Sequence, residues 1–365
     1  MPWRRVAVVA VLVVGLLGLF RALDRTEPDA LSVGATVRRF VPPEPYNWRG
    51  AATRSLVTTI WYPVDAGIPM SDHHIGPPAA PLFTLGRWAD DAPIRQGPFP
   101  LIVSSHGTGG SAQIMAWLAR DLASRGYIVA AVDHPGNTAL GPYTAEGFLL
   151  WWQRARDLTA VIDLTLADAV VGPRIDRNRI GAIGFSLGGY TVLELAGART
   201  DQALLQRFCA LHDAAECADP PEFPNLFKRW TELQADSSEF REMAEQAGRS
   251  YRDPRVSAAF AIAPALGLAF VPESLSALDI PVQLLAGQDD EIVPLATNAR
   301  FFARRIPRAR LELLPGGHYT FLATCTDAGR RAQSVLCTDP ANVDREATHR
   351  RTSELAARFF ERNLD

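Results

Sequence analysis

Short apolar runs alternate with longer amphipathic stretches over most of this chain. The runs read PLIVSSHG (100–107), YIVAAVDHP (127–135), RIGAIGFS (179–186), VSAAFAIAP (256–264), PVQLLAGQDD (281–290) and ARLELLPGGH (309–318). Between and after them, helical patterns cover 112–124, 151–170, 187–196, 296–305 and 346–362. Strands that are apolar on both faces and alternate with helices predict an α/β fold: a mostly parallel central sheet covered by helices on both faces. Two β-branched runs, 33–41 and 55–62, come first, and the Pro- and Gly-rich stretch 63–98 reads as loop. The charged segment from Asp201 to Asp253 interrupts the alternation with a helical pattern, and is expected to form a cap over the sheet edge.

The N-terminus is different in kind. Arg4 and Arg5 precede an uncharged apolar run from Val6 to Phe20, and Arg21 follows. About 15 residues lie between the length of a signal-peptide core and that of a spanning helix. The expectation is export, either with an uncleaved anchor whose arginines stay on the cytoplasmic side or with a cleaved signal peptide. Residues 1–30 then form a signal segment and linker that offers membrane attachment, and 31–365 form the folded domain. The site would face the periplasm or the outer side of the membrane. At 365 residues and 47% hydrophobic, the chain can bury a large core. A net charge of −3 gives no basic field for nucleic acid.

Export changes how the four cysteines are read. Cys209 lies close to Cys217 and Cys325 close to Cys337, and an oxidising compartment favours local disulfides. Four cysteines permit three pairings, of which the local one is expected. No C-x-x-C occurs, the His pair in DHH (72–74) falls in the stretch read as loop, and no metal or cofactor is expected.

In sheets of this kind, ligands gather beyond the carboxyl ends of the strands. The residues found there are chemical ones. Ser105-His106-Gly107-Thr108-Gly109-Gly110 follows the first parallel run, and Asp133-His134-Pro135-Gly136-Asn137 the second. Gly184-Phe185-Ser186-Leu187-Gly188 ends the third, Asp289-Asp290-Glu291 the fifth and Gly317-His318 the sixth. A serine between glycines, at a junction of strand and helix, suits a sharp turn that presents a nucleophile. A serine hydroxyl needs a base, a carboxylate to orient that base, and donors for the developing oxyanion. The order serine, acid, histidine is that of α/β-hydrolases. His318 is the base, the acid is one of Asp289, Asp290 and Glu291, and the oxyanion donors are the N–H groups of Leu187 and Thr108. His106 reads as structural. His134 either lines the pocket or bonds a backbone carbonyl. Phe185, Tyr319, Trp151 and Trp152 are candidates for an apolar acyl pocket or for core.

From about Arg54 onward the chain resembles the predicted dienelactone hydrolases related to the plasma-type platelet-activating-factor acetylhydrolases. The stretches that carry the resemblance are IWYP, SSHGTGG, LASRGYIVAAVDHPGNT, IGFSLGGYT, DPRVSAAFAIAPALG and HYTFLATC. Ser186 stands where true dienelactone hydrolases carry cysteine, and Phe185 where the acetylhydrolases usually carry histidine. The resemblance implies an α/β-hydrolase fold and a serine esterase that works through an acyl-enzyme. It implies Ser186, Asp290 and His318 as triad, Thr108 and Leu187 as oxyanion hole, and a small-molecule or lipid-like ester as substrate. The same acyl-enzyme would serve an acyltransferase. A non-catalytic binding protein on this fold would be expected to have lost a triad member, and none is missing.

Overall fold

The computed structural model describes residues 30–43, 50–51, 54–212, 214 and 217–364. The N-terminal apolar run lies outside them. Among the described residues, no helix is long and apolar enough to cross a membrane.

Eleven strands join in one sheet: β1 (Ser32–Phe40), β2 (Leu56–Val64), β3 (Ser71–Ile75), β4 (Phe83–Asp90), β5 (Phe99–Ser105), β6 (Ile128–Val132), β7 (Ile175–Phe185), β8 (Val256–Ile262), β9 (Val282–Gly287), β10 (Ala309–Leu314) and β11 (Thr324–Cys325). Their spatial order is β10-β9-β8-β7-β5-β6-β2-β1-β4-β11, with β3 on β4. From β10 to β6 every pairing is parallel, while β2 runs antiparallel to both β6 and β1. This is the α/β-hydrolase fold.

Alternation along the parallel strands feeds two cores. Leu101, Val103, Ile128, Ala130 and Val132 face one side, with the helices Gln153–Ala167 and Leu187–Leu195. Ile102, Val129, Ala131, Ile183 and Phe260 face the other, with Ala116–Ser124 and Arg345–Leu364. Each fully buried side chain of this size contributes roughly 2 kcal/mol, so the two-sided burial fixes the order of layers. The stretch expected to run as loop over 63–98 instead holds β3 and β4. In β4 Phe83 and Leu85 keep the alternation, Gly86 at φ +99° interrupts it, and burial resumes out of phase at Trp88. The pair His73 and His74 therefore lies in a strand, where the His73 ring stacks on Trp88 at 3.7 Å. The pattern at 296–305 yields only a five-residue helix, Ala299–Ala303.

The segment 201–253 carries the helices Gln202–Cys209, Leu226–Asp236 and Ser238–Ala244. The Asp201 and Ser237 side chains cap the first and third by accepting the N–H groups of Ala203 and Phe240. A third, smaller core joins the segment to the body, with Leu226, Phe240 and Met243 against Phe148, Leu149 and Trp152. Disulfides link Cys209 to Cys217 and Cys325 to Cys337.

Candidate active site

β7 ends at Phe185 and a helix begins at Leu187, which leaves Ser186 alone to make the turn. Its backbone sits at φ 56° and ψ −117°, a sparsely populated region that persists only where the surroundings enforce it. They do so from both sides. Ser186 N–H donates to the Ile262 carbonyl at 2.8 Å, and its own carbonyl accepts from Tyr190 at 3.1 Å and Ala265 at 3.2 Å. The flanking glycines follow from close approach: a Cβ on Gly184 would lie 2.1 Å from the Gly188 oxygen, and one on Gly188 1.9 Å from the Ser105 oxygen.

The His318 loop and the Asp290 loop are pinned together before they reach the serine. Asp289 N–H donates to the Gly316 carbonyl at 3.0 Å, and a Cβ on Gly287 would lie 2.2 Å from the same oxygen. Consecutive residues then point apart. Asp290 is buried, while Asp289 and Glu291 are exposed. Asp290 Oδ1 accepts the N–H groups of Ile292 (3.1 Å) and Val293 (2.8 Å), and Oδ2 lies 2.8 Å from His318 Nδ1. His318 Nε2 is 3.0 Å from Ser186 Oγ. With Nδ1–H donating to the carboxylate, Nε2 is left to accept the hydroxyl proton.

Thr108 and Leu187 both line the cavity above Ser186. Leu187 opens its helix, so its N–H has no carbonyl a turn earlier to bond. The Thr108 loop is held in shape by its neighbours. Gly109 N–H donates to Asn137 Oδ1 at 2.7 Å, Gly110 N–H to the Gly107 carbonyl at 3.2 Å, and the Tyr143 hydroxyl to the Gly109 carbonyl at 2.7 Å. The cavity measures about 690 Å³. Phe185, Tyr319 and Trp151 lie on its wall, and the 201–253 segment adds Leu205, Glu222, Leu226 and Phe227. Trp152 belongs to the small core.

His134 departs from expectation. It is not among the residues of the cavity wall, and its ring nitrogens face the Asp157 and Ser105 side chains. It is fully buried, with Nδ1 2.7 Å from Asp157 Oδ2 and Nε2 2.9 Å from Ser105 Oγ. The reason lies in the helix Gln153–Ala167, which turns Arg154 and Asp157 inward from the far side of the strand ends. Arg154 Nη2 donates to the His106 carbonyl and, at 3.3 Å, to Ser105 Oγ. His106 Nε2 accepts the His134 N–H at 3.2 Å, and burial, Arg154 and His134 hold this imidazole well below its usual pKa. Nearby, burial pushes Asp133 up to about 6 while it accepts from Ala112 N–H and the Thr138 hydroxyl. Sequence reading missed Arg154, Asp157 and Glu222. The first two carried a signal, a charged pair three apart beside the apolar positions 155, 158, 161 and 162 of one helix.

This chain is similar to several ester hydrolases. It is 36% identical to cutinase est2 of Thermobifida alba over 111 residues, 30% of this chain and 34% of the relative. It is 28% identical to the platelet-activating factor acetylhydrolase of Canis lupus familiaris over 157 residues, 31% of this chain and 35% of the relative. The match to a bis(hydroxyethyl) terephthalate hydrolase of Streptomyces coelicolor is longer: 29% over 227 residues, 62% of this chain and 59% of the relative. The chain thus spans about a third of the length of the cutinases it matches. In three dimensions it is similar to a ferulic acid esterase from Streptomyces cinnamoneus, with a TM-score of 0.61, 22% identity and coverage of 92% of this chain and 90% of that one. That likeness shows the fold. A family model for serine aminopeptidases, S33, matches residues 96–322, which contain Ser186, Asp290 and His318. The chain belongs to this serine hydrolase family, Hydrolase_4.

Proposed function

We propose that this chain hydrolyses carboxylic esters through an acyl-enzyme on Ser186. The observation that carries the reading is the unbroken row from Asp290 through His318 to Ser186, at 2.8 and 3.0 Å. Ser186 Oγ attacks the ester carbonyl carbon as its proton passes to His318 Nε2, and Asp290 stabilises the imidazolium that results. The carbonyl oxygen becomes an oxyanion facing the Thr108 and Leu187 N–H groups, each worth roughly 3 kcal/mol to such a species. Collapse of the intermediate breaks the C–O bond, and the departing alkoxide takes the proton from His318. Water, deprotonated by the same imidazole, then attacks the acyl carbon and frees Ser186 and a carboxylic acid.

The names of the relatives favour esters over the peptides named in the family description. Within the family, the finer kinship to predicted dienelactone hydrolases rests on the motif stretches alone. Export, with the site facing an oxidising compartment, belongs to the same proposal, and the two disulfides support it. The test is a series of p-nitrophenyl esters of increasing acyl length beside aminoacyl anilides, with wild type and Ser186→Ala. Ester turnover and fluorophosphonate labelling are expected in wild type, and neither in the variant. Faster cleavage of the anilides, or equal labelling of both proteins, overturns the reading.

A further inference from the structure

The cavity wall has an uneven charge. Three carboxylates, Asp219, Glu222 and Glu291, line it together with aromatic and aliphatic side chains, and no lysine or arginine does among the described residues. The three acids are not equivalent. Asp219 is turned to the start of the helix Leu226–Asp236, accepting the N–H groups of Asn225 and Phe227 at 2.9 Å each. Glu291 is exposed on the rim. Glu222 is the acid that packs against the Thr108 loop. A Cβ placed on Gly109 would lie 3.0 Å from Glu222 Cγ and 3.0 Å from the Tyr143 hydroxyl, so the Glu222 stem rests on the residue next to Thr108. Its carboxyl is half-buried and within electrostatic reach of His318, Tyr143 and Tyr319. Burial raises its pKa, and the field of His318 acts in the opposite direction.

A carboxylate placed there acts on any charge the substrate brings. An apolar wall screens little, so a second negative charge bound several ångströms away is repelled with no lysine or arginine among the described lining residues to offset it. We propose that Glu222 sets the charge class of the substrate. The site takes neutral or cationic esters with apolar, ring-bearing parts, and rejects esters that already carry a negative charge close to the scissile bond. This rests on the esterase reading above and narrows it. It has a consequence for turnover: neutral ester plus water gives alcohol, carboxylate and a proton released to solvent. Each cycle therefore creates within the cavity the kind of anion that Glu222 drives out.

The experiment uses a matched set: a neutral aromatic dimethyl ester, its half-ester bearing a free carboxylate, and the same half-ester capped with a cationic amide. kcat/KM is measured for each at mildly alkaline pH with wild type and Glu222→Gln. Wild type should cleave the neutral and cationic members at least about tenfold faster than the anion, and Glu222→Gln should shrink that ratio about tenfold, the size expected of one charge pair in a partly buried site. The readout is a ratio between substrates, so any general loss from the substitution cancels. Equilibrium binding of the half-ester to Ser186→Ala, with and without Glu222→Gln, gives a second readout that needs no turnover. There Kd should fall about tenfold on removing the charge. An unchanged ratio or an unchanged Kd overturns the proposal. Binding that responds to Glu222, together with a wild type that fluorophosphonate does not label and that turns over no ester, would instead overturn the esterase reading and leave the charge class standing.

Discussion

His134 and Asp157 meet at 2.7 Å in the interior, and the other nitrogen of the imidazole lies 2.9 Å from Ser105 Oγ. A second serine–histidine–aspartate row is thus built beside the first, with side-chain exposures of 1% for His134 and 0% for Asp157. Geometry of this kind is no sign of catalysis by itself. What separates the two rows is access: Ser186 lines the cavity and Ser105 does not. The buried row has a structural task, because Ser105 and His106 lead directly into the Thr108 loop and Arg154 holds the His106 carbonyl.

Removing Asp157 should therefore be read in stability. Asp157→Ala removes a hydrogen-bond partner of the fully buried His134 ring, and leaving a buried polar group unsatisfied costs about 1–3 kcal/mol. Urea unfolding followed by circular dichroism measures it. A loss under about 1 kcal/mol, the range of an exposed pair, would show that this row does not hold the interior together.

The neighbouring acids should behave asymmetrically. Asp290 is fixed by two backbone N–H groups and faces Nδ1 of His318, whereas Asp289 contributes its backbone N–H and leaves its side chain exposed. Asp290→Asn should cost on the order of 10⁴ in kcat, because an amide favours the wrong imidazole tautomer. Asp289→Asn should cost about tenfold or less, since only its backbone is used. Steady-state kinetics on both purified variants decide, and a greater loss at Asp289 would reverse the assignment.

How much of this was legible depended on whether the signal was local. The strand ends announced themselves, since five of the six apolar runs lead into glycine, serine, histidine or acid residues, and Ser186 precedes His318 in chain order. Choosing among Asp289, Asp290 and Glu291 needed kinship, because three acids in a row look alike until the Gly287–Gly316 contact turns one inward. β3 and β4 were not legible because β3, SDHHI, is polar at four of its five positions, Gly86 interrupts β4, and two of β4's pairing partners, β1 and β11, lie far away in sequence. His134 was misplaced for the same reason. Its position at a strand end pointed to the cavity, while the residue that claims its ring sits 23 positions further on, in a helix.

The disulfides carry separable predictions. Cys325–Cys337 spans 12 residues and ties β11 to the helix Ser334–Cys337, within the body. Loop closure of that length is worth about 2–3 kcal/mol, so replacing both cysteines with serine should lower global stability by that amount. Cys209–Cys217 spans 8 residues at the end of a helix of the 201–253 segment. Its loss should register first as local opening, as protease cleavage between 201 and 253 before global unfolding. Limited proteolysis followed by mass spectrometry reads both. Four alkylatable thiols in protein taken from an oxidising compartment would contradict the pairing.

Glu194 gives the protein a pH dependence whose sign is fixed. It lies fully buried in the helix behind Ser186, accepts the Thr200 hydroxyl at 2.9 Å, and has Tyr190 and Tyr251 as its titratable neighbours. Burial pushes its pKa up from 4.5 to about 8. The folded protein therefore keeps a proton that the unfolded chain has released, so stability from this group is full below 4.5, falls as pH rises towards 8, and is level above that. Asp133 contributes in the same direction but only up to about 6. His106 and His349, whose pKa values are depressed by burial, act in the opposite direction and below 6.5. The window from 6.5 to 8 thus isolates Glu194 from these groups. Over those 1.5 units wild type should lose about 2 kcal/mol, a fall of a few degrees in thermal midpoint, while Glu194→Gln stays flat. Parallel midpoint curves for the two proteins would show that the carboxyl is ionised in the fold already at neutral pH, against the burial that surrounds it.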